Sequence, residues 1–195
     1  MGGFGVINFK QLDQLTDAFV TLSRLIDYPD AETFSRATYD ELVAHYPQTT
    51  QKDRLLALVK QLGDADPLAQ QTHYASLFEM NKRYTLYMSY YKMADSRERG
   101  TILAKLKMLY EMFGVSIEGN ELADFLPMVL EFLAYGNFTD DPRQQDLKLA
   151  FQVIEDGTYT LLEHAKAELD DPYFQLIQVI RAELRTCVES EVKVS

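Results

Sequence analysis

Side chains that could hold a metal ion or act as a nucleophile are few and scattered in this sequence. The three histidines, His45, His73 and His164, lie far apart, and no Glu-x-x-His motif of the kind that binds paired metals in helical bundles occurs. The single cysteine, Cys187, excludes an internal disulfide and a Cys-x-x-Cys metal site. No phosphate-binding loop and no GxSxG or GxGxxG motif is present. The residues therefore predict no catalytic, cofactor-binding or metal-binding site.

Three carboxylates in one segment, Glu121, Asp124 and Glu131, are the candidates we considered for acid–base chemistry. Their spacing does not indicate a pair with separated pKa values, which a general acid and a general base require. From the residues alone we expect them to cap helices and to contact solvent. Binding, rather than catalysis, is the kind of function that remains.

The composition favours a folded protein whose partner is neither nucleic acid nor an anionic membrane. The chain has 195 residues, 47% of them hydrophobic, and a formal charge of −11. This length fits one domain, residues 1–195, with an ample core. The acidic balance disfavours binding to nucleic acid or to anionic lipid. The sequence begins without a secretory signal pattern and has no apolar run of membrane-spanning length, so we expect a soluble cytoplasmic protein without stable membrane association.

One segment departs from the acidic average. Between Lys82 and Lys107 the chain carries seven basic and two acidic residues. Such a segment is either a solvated face or a docking surface for an acidic element of a partner. The sequence leaves both interpretations open.

Apolar residues recur at helical spacing along most of the chain, and no convincing β alternation occurs. The predicted helices cover about 10–27, 31–46, 51–62, a segment starting at 67, 95–113, a segment from 120 or 124 to about 133, 143–155, 158–169 and 172–189. Asp66-Pro67 and Asp171-Pro172 are helix starts with an aspartate cap and proline at the first position. Residues 1–9 and 190–195 are expected to be frayed. The fold class predicted from spacing is all-α.

The segment from Asp95 to Leu133 is the one around which the rest of the chain is organised. Asp95 is predicted to cap a helix, with Glu98 completing a capping box. Gly114 is expected to end that helix in a left-handed conformation. A second helix, predicted to begin at Asn120 or Asp124, carries an apolar stripe that consists of Leu126, Val129, Leu130 and Leu133.

Aromatic residues are dense just before this segment. Four of the twelve tyrosines lie between positions 84 and 91. Such a cluster either belongs to the core or its edge, or forms a wall against which a partner helix packs, because tyrosine has a large apolar face and a polar hydroxyl.

Two motifs in this region carry a family resemblance. DSRERG at 95–100, followed by ELADFLPMVLEFL at 121–133, resembles the NarJ family of nitrate reductase assembly chaperones, which belongs to the broader TorD/DmsD-like set. LIDYP at 25–29 and LYMS at 86–89 are supporting matches. The resemblance implies a TorD-like multi-helix bundle and a non-catalytic, cofactor-free chaperone. Its implied partner is the N-terminal segment of the catalytic subunit, which it would bind before molybdenum cofactor and iron–sulfur insertion and before membrane docking.

The resemblance also indicates site residues. Arg97 and Arg99 match the family's Asp-x-Arg-x-Arg-Gly motif, and Asp124 matches the acidic residue of the chaperone signature. We expect a groove for a peptide helix, with charged rims that set its direction. The residues predicted to bind the peptide are Tyr87, Tyr90, Tyr91, Phe125 and Leu126 in the walls and Arg97, Arg99, Asp124 and Glu131 at the rims.

Three positions depart from the family pattern and keep other interpretations open. The family usually has glycine at the position of Ala94 and proline at that of Ala123, and the broader set often has histidine at that of Phe125. The cargo could therefore be another molybdenum enzyme. A small metal-dependent helical enzyme and a passive helical adaptor are the alternatives from other classes, and the sequence does not give the oligomeric state.

Overall fold

The structure, a computed structural model, describes residues 5–138 and 140–189, and its regular secondary structure is almost entirely helical. The α-helices are α1 (Phe9–Gln14), α2 (Thr16–Ile26), α3 (Arg36–His45), α4 (Lys52–Gly63), α5 (Pro67–Tyr74), α6 (Tyr90–Met93), α7 (Arg97–Met112), α8 (Leu126–Tyr135), α9 (Lys148–His164) and α10 (Pro172–Thr186). A π-helical turn covers Ala75–Glu79, and 3-10 turns cover Lys82–Tyr84 and Gln144–Leu147. The all-α prediction is confirmed.

The core forms where apolar helix faces meet. Helix α2 packs most extensively on α8, and α10 packs on α4, α9 and α2. Phe19 and Leu22 of α2 are fully buried, as are Val129 and Phe132 of α8, because their spacing keeps each set on one side of its helix. Within the described part of the chain, no helix is both long and apolar enough to cross a membrane.

The two ends of the described chain pair with each other. Strand β1 (Val6–Ile7) runs antiparallel to β2 (Val188–Glu189), and the Asn8 N–H donates to the Cys187 carbonyl at 2.8 Å. The expectation of a frayed start is therefore wrong for residues 6–9. Residues 1–4 and 190–195 lie outside the described residues, so that part of the expectation stays a prediction.

The N-cap of helix α7 lies one residue later than predicted. Ser96 is its N-cap, and the Ser96 hydroxyl accepts a hydrogen bond from the Arg99 N–H at 3.3 Å. Asp95 lies before the cap, and Glu98 is the second helical residue instead of the third, so the predicted capping box is wrong. Gly114 ends the helix with a φ of +81°, as predicted.

Two predicted helices merge into α9, which continues through Gly157. A glycine inside a helical pattern indicates a break, because it costs about 1 kcal/mol relative to alanine. Here an added Cβ on Gly157 would lie 2.5 Å from the Met88 carbonyl oxygen. Glycine is present because the backbone of α9 passes close to Met88.

Candidate functional site

Two extended segments lie side by side where the sequence predicted part of a helix. Residues 85–88 and 123–126 form an antiparallel bridge: the Met88 N–H donates to the Asp124 carbonyl, and the Leu126 N–H donates to the Leu86 carbonyl, both at 2.9 Å. Helix α8 therefore starts at Leu126 and not at Asn120 or Asp124. Pro127 is its second residue, where a proline is tolerated.

The bridge decides which side chains are exposed. Successive residues of an extended chain point to opposite faces. Leu86, Met88, Asp124 and Leu126 are accordingly buried, whereas their neighbours Tyr87 and Phe125 are only half-buried.

Tyr87 and Phe125 lie next to each other on the outer face. Their ring centroids are 5.3 Å apart, and the planes are tilted by 39°. The Tyr87 hydroxyl donates to a Glu121 carboxylate oxygen at 2.8 Å. Desolvation, together with this hydrogen bond and the charge of Glu121, raises the pKa of Tyr87 to about 12. The two rings form what we call the aromatic wall.

The aromatic wall borders a groove with a volume of about 500 Å³. Six of the residues that line it are aromatic or aliphatic: Tyr28, Tyr74, Phe78, Leu86, Tyr87 and Phe125. Tyr74, Phe78 and Leu86 are buried and form the floor, whereas Tyr28 is 48% exposed at the edge. A cavity of this size that combines aromatic side chains with a few polar groups is typical of a binding site.

Carboxylates dominate the charges around the groove. Asp27, Glu79 and Glu121 line it together with one cation, Lys82. Partial desolvation raises the pKa of Asp27, and the nearby charge of Glu121 adds to that shift. The groove therefore combines an apolar floor with an acidic border, a combination that fits a ligand with an apolar face and positive charge.

A buried ionic cluster lies behind the aromatic wall. Asp124 is fully buried, and its carboxylate accepts hydrogen bonds from the Ser89 N–H at 3.1 Å and the Ser89 hydroxyl at 2.5 Å. Arg99, 8% exposed, places Nη2 3.2 Å from the same carboxylate and Nε 3.2 Å from the Ser89 hydroxyl. The predicted rim position is therefore wrong for Asp124 and Arg99. The reason is the alternation of the extended segment, which turns Asp124 inward and Phe125 outward.

The other predicted peptide contacts are distributed over several places. Of the predicted residues, only Tyr87 and Phe125 line the groove. Leu126 is fully buried in the core, and Arg97 is exposed at the first position of α7. Glu131 is exposed on α8 and accepts a hydrogen bond from the Ser23 hydroxyl at 3.3 Å.

Tyr90 and Tyr91 belong to the same region without lining the groove. The Tyr91 hydroxyl donates to the Thr85 carbonyl at 2.8 Å, and its ring lies 5.6 Å from that of His164. The Arg99 guanidinium lies 5.6 Å from the Tyr90 ring centroid. Tyr84 is buried, so the core alternative holds for it, whereas the wall for a partner helix stays a prediction for the half-buried Tyr87.

Four residues that line the groove are not among those predicted from the sequence: Asp27, Tyr28, Tyr74 and Phe78. A signal existed for each of them. Asp27 and Tyr28 belong to the LIDYP match, and Tyr74 and Phe78 precede the tyrosine cluster in an aromatic-rich stretch. Their distance from one another in sequence hid the fact that they meet in space.

Residues of the basic segment 82–107 have several different partners. The Lys92 Nζ lies 3.2 Å from a carboxylate oxygen of Asp156, and the Arg83 guanidinium donates to the His164 carbonyl at 3.0 Å. Lys82 lines the groove and Arg99 is buried behind the aromatic wall. These contacts tie part of the segment to the protein itself.

Among the described residues, no group of three or more His, Cys, Asp or Glu side chains is placed to hold a metal ion. A cavity of about 560 Å³ lies elsewhere, between α1, the end of α8 and residues 136–138, 140 and 144. We take the smaller groove as the candidate site because residues of the second motif and of the 86–89 match line it and three carboxylates border it.

The fold and this groove define a helical protein whose candidate site is a binding surface. The chain belongs to the nitrate reductase delta subunit family, whose model matches residues 33–176. The resemblance to the NarJ family is thereby confirmed. Asp27 and Tyr28 of the groove precede the matched region.

Curated relatives named NarJ and NarX are similar to this chain. Over 169 residues the chain is 29% identical to the probable nitrate reductase molybdenum cofactor assembly chaperone NarJ of Bacillus subtilis, covering 85% of this chain and 87% of the relative. It is 32% identical to Escherichia coli NarJ over 118 residues, 59% of this chain and 50% of that protein. It is 37% identical to the nitrate reductase-like protein NarX of Mycobacterium tuberculosis over 112 residues, 57% of this chain and 17% of NarX. The chain therefore spans only part of the last two relatives.

Proposed function

We propose that this protein is a non-catalytic assembly chaperone that binds the N-terminal segment of the catalytic subunit of respiratory nitrate reductase in the groove beside Tyr87 and Phe125. In this proposal it acts in the cytoplasm, before the molybdenum cofactor and the iron–sulfur clusters are inserted and before the enzyme docks at the membrane. The names of the NarJ relatives support the chaperone role. The observation that carries the binding mode is the apolar groove bordered by three carboxylates.

The groove suits one face of an amphipathic helix. Helical peptides bind by placing apolar residues at positions i, i+3 or i+4, and i+7 into a hydrophobic groove. The aromatic floor would take those side chains, and Asp27, Glu79 and Glu121 would pair with basic residues at the edge of the helix. Two exposed apolar side chains, Met80 at 82% and Leu122 at 39%, follow Glu79 and Glu121 in the chain.

A chaperone must release the segment that it binds, and the expected free energy of binding permits release. A flexible N-terminal segment loses conformational entropy when it folds on binding, which offsets part of the contact energy. We therefore expect a dissociation constant in the micromolar to nanomolar range, on the order of −8 to −12 kcal/mol.

Isothermal titration calorimetry with a synthetic peptide of the catalytic subunit's N-terminal segment tests the proposal. Wild-type protein should bind it, and Phe125→Ala and Glu121→Gln should weaken binding, because one removes half of the aromatic wall and the other a border charge. Tyr135→Ala is the matched control, since Tyr135 is an exposed aromatic residue that lines the other cavity. Absence of heat and of competition at high micromolar peptide would refute the proposal.

The second candidate function is that of a chaperone whose cargo is a different molybdenum enzyme, and the position of Phe125 is the observation that favours it. Phe125 departs from the histidine common in the broader chaperone set and lies in the aromatic wall, where a change alters ligand contacts directly. Competition between the N-terminal peptides of the nitrate reductase subunit and of other molybdenum enzymes of the same organism decides between the two cargoes.

A further inference from the structure

We infer that the buried pair of Arg99 and Asp124 positions the aromatic wall of Tyr87 and Phe125 and thereby sets how tightly the groove holds its ligand. The inference rests on the proposed function, because the ligand is the peptide helix proposed above. It gives Asp124 an indirect role: its carboxylate acts through the wall and does not touch the peptide.

Asp124 joins the chain segments that carry the wall. Through its carbonyl oxygen it accepts the Met88 N–H, and through its carboxylate it accepts the N–H and hydroxyl of Ser89. Phe125 follows directly in the chain. One residue therefore fixes the segment that presents Tyr87 relative to the segment that presents Phe125.

Arg99 connects the same cluster to the wall from α7. Its guanidinium binds the Asp124 carboxylate and lies 5.9 Å from the Tyr87 ring centroid and 5.6 Å from that of Tyr90. A cation over an aromatic face at such distances is attractive. The hydroxyl of Tyr87 is bound by Glu121, so the ring is fixed by Arg99 and by a groove carboxylate together.

Because Arg99 and Asp124 are buried, their pairing restricts how the surrounding segments can be arranged. A charged group without water is stable only with its partner, and removing one partner leaves the other uncompensated. Segments 85–89 and 123–126 and helix α7 must therefore meet in one arrangement for Arg99 and Asp124 to pair. The wall residues alternate with the buried ones along the same segments, so their positions are set by the same pair.

The protein contains a second buried arginine cluster that serves as a matched control. Arg181, with a side chain 7% exposed, binds the Glu155 carboxylate at 2.7 Å and the Thr158 hydroxyl at 2.8 Å, and its guanidinium lies 5.6 Å from the Tyr159 ring centroid. The chemistry matches that of Arg99, with a carboxylate, a hydroxyl and a tyrosine. None of these four residues lines the groove.

The fluorescence of a single tryptophan reports the environment of the aromatic wall without a ligand. The chain has no tryptophan, so Phe125→Trp introduces the only one. In that background Asp124→Asn and Arg99→Lys should raise acrylamide quenching and shift the emission, whereas Arg181→Lys should leave both unchanged. Ser89→Ala, which removes the hydroxyl between the two charges and keeps both, gives a milder change should a charge variant fail to fold.

Peptide titration calorimetry in the wild-type background then tests the consequence for binding. Arg99→Lys and Asp124→Asn should weaken binding by about tenfold or more. In a double-mutant cycle, the effect of Arg99→Lys should become smaller once Tyr87→Leu has removed the ring that Arg99 contacts, because only the route through Asp124 to Phe125 remains. Arg181→Lys should lower the melting temperature and leave the dissociation constant unchanged, which distinguishes positioning from general stability.

The two measurements separate this inference from the proposed function. A moved wall with weaker peptide binding supports the inference. An unmoved wall, or a moved wall with unchanged affinity, overturns it. If wild-type protein binds no peptide, the proposed function fails. The tryptophan signal then tests the positioning of the wall by itself. A signal that responds to Asp124→Asn and not to Arg181→Lys supports that positioning, and a signal without this difference overturns it.

Discussion

Ala94, between α6 and α7, has a backbone conformation that alanine rarely adopts. Its φ is +46° and its ψ is −139°, a region that favours glycine because an L side chain is crowded there. The residue is exposed, so its methyl group contributes little buried area. Ala94→Gly should therefore stabilise the protein, and it would restore the residue usual in the NarJ family.

The size of the effect follows from two opposing terms. Backbone strain of this kind costs about 1–3 kcal/mol. Glycine gives back about 0.5–1 kcal/mol through the greater entropy of the unfolded chain. The expected net gain is about 1 kcal/mol in the free energy of unfolding, or about 2–4 °C in melting temperature for a chain of this length.

Urea unfolding followed by circular dichroism measures this gain, and Ala104→Gly is the matched control. Ala104 is exposed within α7, where the same substitution should cost about 1 kcal/mol through helix propensity. Opposite signs for the two variants support the assignment of strain to position 94. If Ala94→Gly destabilises the protein as much as Ala104→Gly does, the reasoning is wrong.

Three more substitutions test the packing. Gly100→Ala in α7 should stabilise by about 1 kcal/mol, because nothing lies within 4 Å of the added Cβ, and a loss of stability on urea unfolding would contradict this. Gly157→Ala should destabilise by about 1–3 kcal/mol, because its Cβ would meet the Met88 carbonyl; an unchanged urea midpoint would be inconsistent with that close approach. Burial raises the pKa of Glu183 above its ordinary 4.5, so its ionisation opposes folding as the pH rises through the raised value. Glu183→Gln should therefore gain stability over wild type as the pH increases above 4.5 in urea titrations at several pH values, and a pH-independent difference would count against it.

The helices could be predicted from the sequence because their determinants are local. A helical hydrogen bond joins residues four positions apart, so the cap Asp66, the proline at 67 and the left-handed Gly114 act within one turn. The paired motifs at 95–100 and 121–133 carried the family in the same way. In each case the information lies within a short stretch of chain.

The tertiary structure decided which of those residues face the groove. Asp124 is buried and Phe125 only half-buried because residues 123–126 pair with residues 85–88, and that pairing has no trace in the local spacing. A glycine occupies position 157 within α9 because the helix passes too close to Met88 for a side chain there. Asp27 and Glu121 face one groove although 93 positions separate them in the chain, because the packing of α2 on α8 brings their segments together. Contacts between distant segments depend on the packing of whole helices, which a pattern of neighbouring residues does not contain.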